Sequence, residues 1–328
     1  MTDPLVSIVT PVYNGEIYLK GCIQGVLKQT YKNFEYIILD NASTDGTAKI
    51  IEDFIPKDSR IKAFRNPATL DIIDNWNESL KYISKESKWV KFAFTDDILF
   101  PHCVEEMVRV GETDIRIGFV SAYHLKGRQV ANVGLPMDQE IADGKEMLKR
   151  HIMRKIHVCL DSPNTVLYKR VVLDEMEGFD KAYLHADTEL AFRILYEHHL
   201  GFVHQVLSWT SINKHSGASY AFFHGLNIID YLRFAYKEIS KYRAISLTEN
   251  EMQQVSDYYA HEIALYVSAH LVHRLWKDIR NLWREAPGSI KKRILPALRN
   301  HWPLYARKFL GSIIHYKQRV RNSPTFKR

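Results

Sequence analysis

The sequence predicts an α/β fold: a mostly parallel sheet with helices on both faces, followed by a helical C-terminal extension. Three observations predict it. Short apolar, β-branched runs alternate with amphipathic stretches through residues 5–100. Strand followed by helix, repeated, implies parallel strands joined by crossovers that cover both faces of the sheet. Beyond about residue 219 the pattern turns helical and stays so.

LVSIVTPVY (5–13) is the first buried strand. Gly15 to Thr30 follows as a helix with Leu19, Ile23, Val26 and Leu27 on one face. FEYIILD (34–40) is the second strand, and Ser43 is the candidate cap of a helix running to Phe54. RIKAFRN (60–66) is a third strand, 72–84 a helix, and KWVKFAFT (88–95) a fourth strand ending at Asp96-Asp97. Pro101 fits the first turn of the next helix. Crossovers between the parallel strands should be right-handed. The stretch 117–215 is a less regular α+β region, with strands at GFVSAYHL (118–125) and GFVHQVLSW (201–209). Between them DTELAFRILYEH (187–198) is a helix with Leu190, Ala191, Ile194 and Leu195 inward. The expected organisation is a domain over 1–218, with halves of about 1–115 and 116–218, and a helical, basic region over 219–328.

Hydrophobic residues are 46% and charged residues 25% of the 328, which excludes wholesale disorder and a small disulfide scaffold. Cys22, Cys103 and Cys159 form no CxxC pair, so a cysteine-based zinc site is not expected and a reducing compartment is. The opening MTDPLVSIVTPVYN lacks the order of a signal peptide, and no run of about 18 apolar residues predicts a membrane span. GxxxxGK[ST], GxGxxG and GxSxG are absent, which removes the usual markers of kinase-like, dinucleotide-binding and hydrolase chemistry. Residues 221–328 hold 19 Lys+Arg against 8 Asp+Glu, a balance of +11 that leaves −4 for residues 1–220. An acidic front and a basic tail imply different partners.

In a parallel α/β sheet, ligands sit beyond the carboxyl ends of the strands. The first strand leads there into Thr10, Pro11, Tyr13 and Asn14, the second into Asp40-Asn41, the fourth into Asp96-Asp97. Adjacent carboxylates repel unless something neutralises them, and a hard divalent cation shared with phosphate oxygens does so. The alternative is a helix N-terminus carrying two acids near its dipole. Asp40 and Asn41 suit a nucleobase edge or a ribose, while Ser43 and Asp45 suit turn and cap work.

VSIVTPVYNGEIYLKGCIQGVLKQTYKNFEYIILDNASTDGT resembles the start of a family 2 glycosyltransferase of the GT-A fold. The matching features are the strand-PVYN-helix opening, Gln-Thr-Tyr before FEYIILD, and the STDGT turn; NWNESLKYISKESKWVKFAFTDDILFP continues the pattern. The likeness covers about residues 5–215. It implies an inverting transfer from a nucleoside-diphosphate sugar to a hydroxyl of a cell-surface glycan or lipid-linked acceptor, assisted by Mn²⁺ or Mg²⁺. Thr10, Pro11 and Tyr13 match nucleotide-pocket positions. Asp40 and Asn41 match a pair that usually reads Asp-Asp, and Asn77 matches a recurrent Asn near the nucleotide. Asp97 matches the metal ligand and Asp96 the residue nearer the ribose; Phe94 stands where many relatives have a further Asp.

GFDKAYLHADTELAFRI (178–194) resembles the acceptor-side segment, so Asp187 is the implied general base, with Ala186 in place of the usual Glu and Glu189 a local alternative. SINKHSGASY (211–220) resembles the family's Arg-x-His loop, which implies His215 near the metal and Lys214 as a diphosphate contact in place of Arg. Trp76 reads as core. Two other readings stay open: transfer to a polyprenyl phosphate, and a transferase-like scaffold without turnover, allowed by Phe94, Ala186 and Asn213.

Residues 271–328 contain 15 basic and 2 acidic residues. Between Pro303 and Pro324, Tyr305, Phe309, Leu310, Ile313 and Ile314 recur at helical spacing, which suits an anionic membrane surface or packing against the rest of the chain. No nucleic-acid recognition motif accompanies the charge, so no nucleic acid is expected. The family resemblance with this tail implies a cytoplasmic protein peripheral to the membrane's cytoplasmic face.

Overall fold

The computed structural model describes residues 3–153, 155, 162–183, 185–211, 245 and 247–272, with shorter pieces at 280, 283–284, 286–294, 296–297 and 299. The chain divides into two compact units, Met1–Lys214 and His215–Arg328.

The first unit opens as the sequence predicts: β1 (Val6–Val12), α1 (Leu19–Leu27), β2 (Phe34–Asp40), α2 (Thr47–Phe54), β3 (Ile61–Arg65), α3 (Ile72–Leu80) and β4 (Trp89–Phe92). A two-residue strand β5 (Ile98–Leu99), α4 (Cys103–Gly111), β6 (Ile117–Lys126), β7 (Gln129–Ala131), β8 (Ile141–Ala142) and α5 (Gly144–Ile152) follow. β9 (Val166–Lys169), α6 (Arg170–Glu175), α7 (Ala186–Glu197) and β10 (His199–Thr210) complete the described part. The ten strands form one sheet, in the order β3-β2-β1-β4-β9-β6-β10-β5, with β7 beside β6 and β8 beside β10. β3, β2, β1 and β4 are parallel, as are β6 and β10. β9 runs against both β4 and β6 and joins the two parallel blocks.

Every residue of β1 and β2 is buried, so both faces of this part of the sheet are covered. Val6, Ile8 and Val12 pack in one core with Leu19, Ile23 and Val26 of α1. Near β4 and β9 the core is aromatic: Phe92 meets Tyr168 and Phe179 edge to face at 6.4 and 5.5 Å. Such pairs add about 0.5–1.5 kcal/mol beyond their buried area.

Four local expectations are corrected. Ser43 does not cap α2; the N-cap is Gly46, and the Ser43 hydroxyl instead accepts the Asn14 N–H at 2.9 Å. Pro101 precedes the N-cap His102 rather than entering the first turn of α4. The fourth strand stops at Phe92 because the chain turns, Asp97 N–H donating to the Phe94 carbonyl at 3.1 Å. The strand β9 and the helices α5 and α6 lie in the middle region where only two strands and one helix were expected.

In the second unit, α8 (Glu249–Val272) begins in a capping box: Glu251 N–H donates to Thr248 Oγ1 at 3.2 Å and Thr248 N–H to Glu251 Oε2 at 2.9 Å. Val255, Tyr259, Ala260, Ile263 and Ala264 form its buried stripe. The guanidinium of Arg293 bonds Asp257 and Gln253 on the helix. No helix among the described residues is long and apolar enough to cross a membrane.

Candidate functional site

The β1–β2 register sets Val12 opposite Asp40, and Ala93 N–H bonds the Val9 carbonyl at 2.9 Å. The carboxyl ends of β1, β2 and β4 therefore lie in line, with the chemistry-bearing residues of all three along one edge.

Two loops form this edge and interlock. Asn14 and Ala42 take left-handed backbone angles, φ 49° and 56°, which place a sharp turn after each strand. Asn14 Oδ1 accepts the Thr44 N–H at 2.9 Å, and Gly15 N–H donates to Thr47 Oγ1 at 2.8 Å. Glu16 N–H donates to Asp45 Oδ2, and Gly46 N–H to Glu16 Oε2, both at 3.1 Å. Tyr13, at the lip, is half exposed.

Asp40 is buried, its carboxylate accepting the Ser43 N–H at 2.9 Å and the guanidinium of Arg65. Asn41 is buried too. Its amide holds the Leu70 peptide at both ends, donating to the carbonyl and accepting the N–H at 2.9 Å each. Asn66 Nδ2 bridges Asn41 Oδ1 and Asn75 Oδ1 at 2.8 and 3.0 Å. The amide at position 41 thus braces the loop that leads into α3. Thr10 lies under the edge rather than on it: it is fully buried and donates to the Ala93 carbonyl at 2.7 Å, tying β1 to β4. Pro11 is buried beside it.

Asp96 is half-buried and Asp97 buried. Asp97 Oδ1 accepts the Ser211 N–H at 3.0 Å from the end of β10. Burial pushes the Asp97 carboxyl up to about 7; the Ser211 N–H opposes this, neighbouring Asp96 adds to it, and Lys91 opposes it. Lys91 is fully buried on β4, and its ammonium bonds the carbonyls of Asn164 and Val166, the latter at 3.3 Å. Phe94 stacks on Trp76 with ring centroids 5.0 Å apart and planes at 25°, and Trp76, expected in the core, is half-buried instead.

Asp187 stands in the first turn of α7, half-buried, its Oδ1 accepting the Thr188 N–H at 2.8 Å. Glu189 is occupied otherwise. It is buried, and Arg193 grips both its oxygens at 2.7 Å. Asn77 bonds the backbone of Phe179, donating to its carbonyl at 2.8 Å and accepting its N–H at 2.9 Å. Lys214 and His215 lie outside the described residues.

Sequence reasoning passed over Arg65, Asn66, Lys91 and Arg193. Two of them carried a signal: Lys91 is a lone charge inside an apolar strand, and Arg193 stands four residues beyond Glu189 on an expected helix.

The donor set suits a hard cation in part. Asp96 and Asp97 are adjacent oxygen donors, and burial leaves Asp97 short of neutralising charge. No group of three His, Cys, Asp or Glu able to hold a metal occurs among the described residues.

A family model described as Glycosyl transferase family 2 matches residues 7–176. An uncharacterized glycosyltransferase of Haemophilus influenzae is 37% identical over 99 residues, 30% of this chain and 39% of that protein. The UDP-Glc:alpha-D-GlcNAc-diphosphoundecaprenol beta-1,3-glucosyltransferase WfgD of Escherichia coli is 37% identical over 108 residues, 33% of this chain and 41% of that protein. The matches thus span about two fifths of these curated relatives. Among solved structures, S. aureus TarS in complex with UDP-GlcNAc aligns with a TM-score of 0.54 at 15% identity, over 86% of this chain and 89% of that one. The mannosyltransferase PcManGT from Pyrobaculum calidifontis, in complex with GDP-Man and Mn²⁺, aligns with a TM-score of 0.54 at 15% identity, over 90% and 88%. At such identity the likeness is one of fold, and the fold is GT-A.

Proposed function

The chain belongs to glycosyl transferase family 2, and on that premise we propose that it transfers a sugar, with inversion, from a nucleoside diphosphate to a hydroxyl of a cell-surface or lipid-linked glycan. The observation that supports this reading is that Asp40 ends β2 and Asp96-Asp97 follow the carboxyl end of β4, the two strands that flank β1 in parallel, with Asp97 buried. Tyr13, Pro11, Asp40 and Asn41 form the nucleotide side. Asp97 and Asp96, with His215, would hold Mn²⁺ or Mg²⁺, and Lys214 would meet the diphosphate. When bound, such an ion supplies neutralisation of the charge that gathers on the leaving diphosphate. Asp187 takes the proton from the acceptor hydroxyl as its oxygen bonds to the anomeric carbon and the bond to the diphosphate breaks. The Arg193-bound Glu189 is not available for that task.

The acidic front and basic tail fit an enzyme working beside an anionic membrane on a lipid-linked acceptor. The test is calorimetric titration with UDP, GDP, dTDP and CMP, each with Mn²⁺ and with EDTA. Metal-dependent binding of one nucleotide, lost in Asp97→Ala, is the expected result; no binding by folded protein would sink the reading. Asp187→Asn then separates acceptors: a hydroxyl-acceptor enzyme collapses, whereas one using an already anionic polyprenyl phosphate keeps much of its rate.

A further inference from the structure

The turn between α6 and α7 is held from two sides by side chains distant in sequence. Glu177 and Gly178 both take left-handed angles there, φ 56° and 74°. From α3, Asn77 pairs with Phe179 as a second peptide would, one bond donated and one accepted. A Cβ at Gly178 would lie 2.6 Å from Asn77 Oδ1, so the approach leaves no slack. From α7, Arg193 donates to the carbonyls of Met176 and Gly178, the latter at 2.8 Å, while Glu189 fixes its other edge. The neighbour of Asn77, Trp76, stacks on Phe94 at 5.0 Å and meets Phe179 edge-on at 5.3 Å. Phe94 is two residues from Asp96, and Arg193 is on the helix that carries Asp187.

Apolar packing would hold this turn at no less stability, since a buried ion pair replaced by well-packed apolar residues is often neutral or better. What bidentate bonds add is direction and distance: a paired amide and a forked guanidinium permit no sliding. Catalysis needs such tolerance, because a displacement of about 1 Å can lower a rate about 100-fold. We infer that Asn77 and Arg193 are positioning residues, which through the Met176–Phe179 turn set Asp187 at its working distance from Asp96-Asp97. The inference rests on the transferase reading and on Asp187 as the base.

The test uses full-length Asn77→Asp, Asn77→Ala and Arg193→Lys, with Asp187→Asn as control. Calorimetry gives the Kd of the nucleoside diphosphate with Mn²⁺. Turnover is the release of that diphosphate from its sugar nucleotide with water as acceptor. Expected are a Kd and a donor KM within about threefold of wild type and a kcat lowered about tenfold or more, equivalent to about 1.4 kcal/mol. The double variant Asn77→Asp/Arg193→Lys should lose less than the product of the single losses, because both changes loosen one turn. Should Asn77→Ala not fold, the other two variants carry the test. Wild-type kcat in folded variants, while Asp187→Asn is impaired, overturns the inference alone. So does a kcat loss matched by an equal loss of nucleotide-binding sites, the mark of a merely structural role. Wild-type turnover in Asp187→Asn, or a wild-type chain that neither binds the nucleotide nor turns it over, overturns the underlying reading and this inference with it.

Discussion

Asp97 combines burial, one N–H bond and an acidic neighbour, and these set opposite demands on folding and on binding. Its carboxyl is raised to about 7, so between the ordinary carboxylate range and about 7 the folded chain holds a proton that the unfolded chain has released. In the metal-free protein this group's contribution therefore falls as pH rises toward 7 and stays low above it. Asp97→Asn keeps an acceptor for Ser211 N–H and removes the charge. It should raise stability at pH 8 by about 1–3 kcal/mol while abolishing metal-dependent nucleotide binding. Thermal unfolding at pH 8 and pH 5 checks this; a gain as large at pH 5 as at pH 8 would contradict it. The same proton competes with a cation, so Mn²⁺-dependent binding should weaken as pH falls below about 7.

At the scale of elements, α5 and α7 meet closely enough to need glycine. A Cβ on Gly144, the first residue of α5, would collide with the carbonyl oxygens of Leu195 and His198. Neither oxygen can move without unwinding the end of α7. Gly144→Ala should cost about 3 kcal/mol or more, the upper range for overpacking; a denaturation midpoint equal to wild type would refute the contact. This junction was not legible in the sequence, because α5 lies in a stretch whose apolar positions, Met147, Leu148 and Ile152, are too few to mark a period. The first four parallel strands were legible, because three of them are largely apolar runs bounded by polar turns and the other, IKAFR, falls between two helix candidates. β9 was not: VLYK is four residues long, and its burial comes from lying between β4 and β6, which no local pattern records. The site follows the same division. Strand-end carboxylates announce themselves, and Asp96-Asp97 and Asp40 were read directly. What Thr10, Asn41 and Asn77 bond to is decided by elements far along the chain, and there the sequence named the residue without its partner.

For the whole molecule the notable property is charge segregation, with +11 in residues 221–328 against −4 before them. Each Lys or Arg near an anionic bilayer contributes about 1 kcal/mol, screened within a Debye length. The full chain should therefore sediment with vesicles containing phosphatidylserine at about 0.05 M salt and be released by about 0.5 M. Equal sedimentation with purely zwitterionic vesicles, or none of this salt dependence, would show that the charge serves another purpose.

The interlocked loops beyond β1 and β2 have a further consequence, for chemical durability. Asn14-Gly15 is the dipeptide most prone to cyclise, the glycine nitrogen attacking the asparagine carbonyl carbon and expelling ammonia. Here the Gly15 N–H is engaged by Thr47 Oγ1 and the Asn14 side-chain oxygen by Thr44 N–H. While the loops stay locked, nucleophile and electrophile are both held out of line. Deamidation at Asn14 thus becomes a clock for loop opening: slow in the native chain, faster in Thr47→Val, and slowed if a nucleotide seats against the edge. Peptide mass spectrometry of aged protein reads it directly, and equal rates in the native chain and Thr47→Val would show that the lock does not protect.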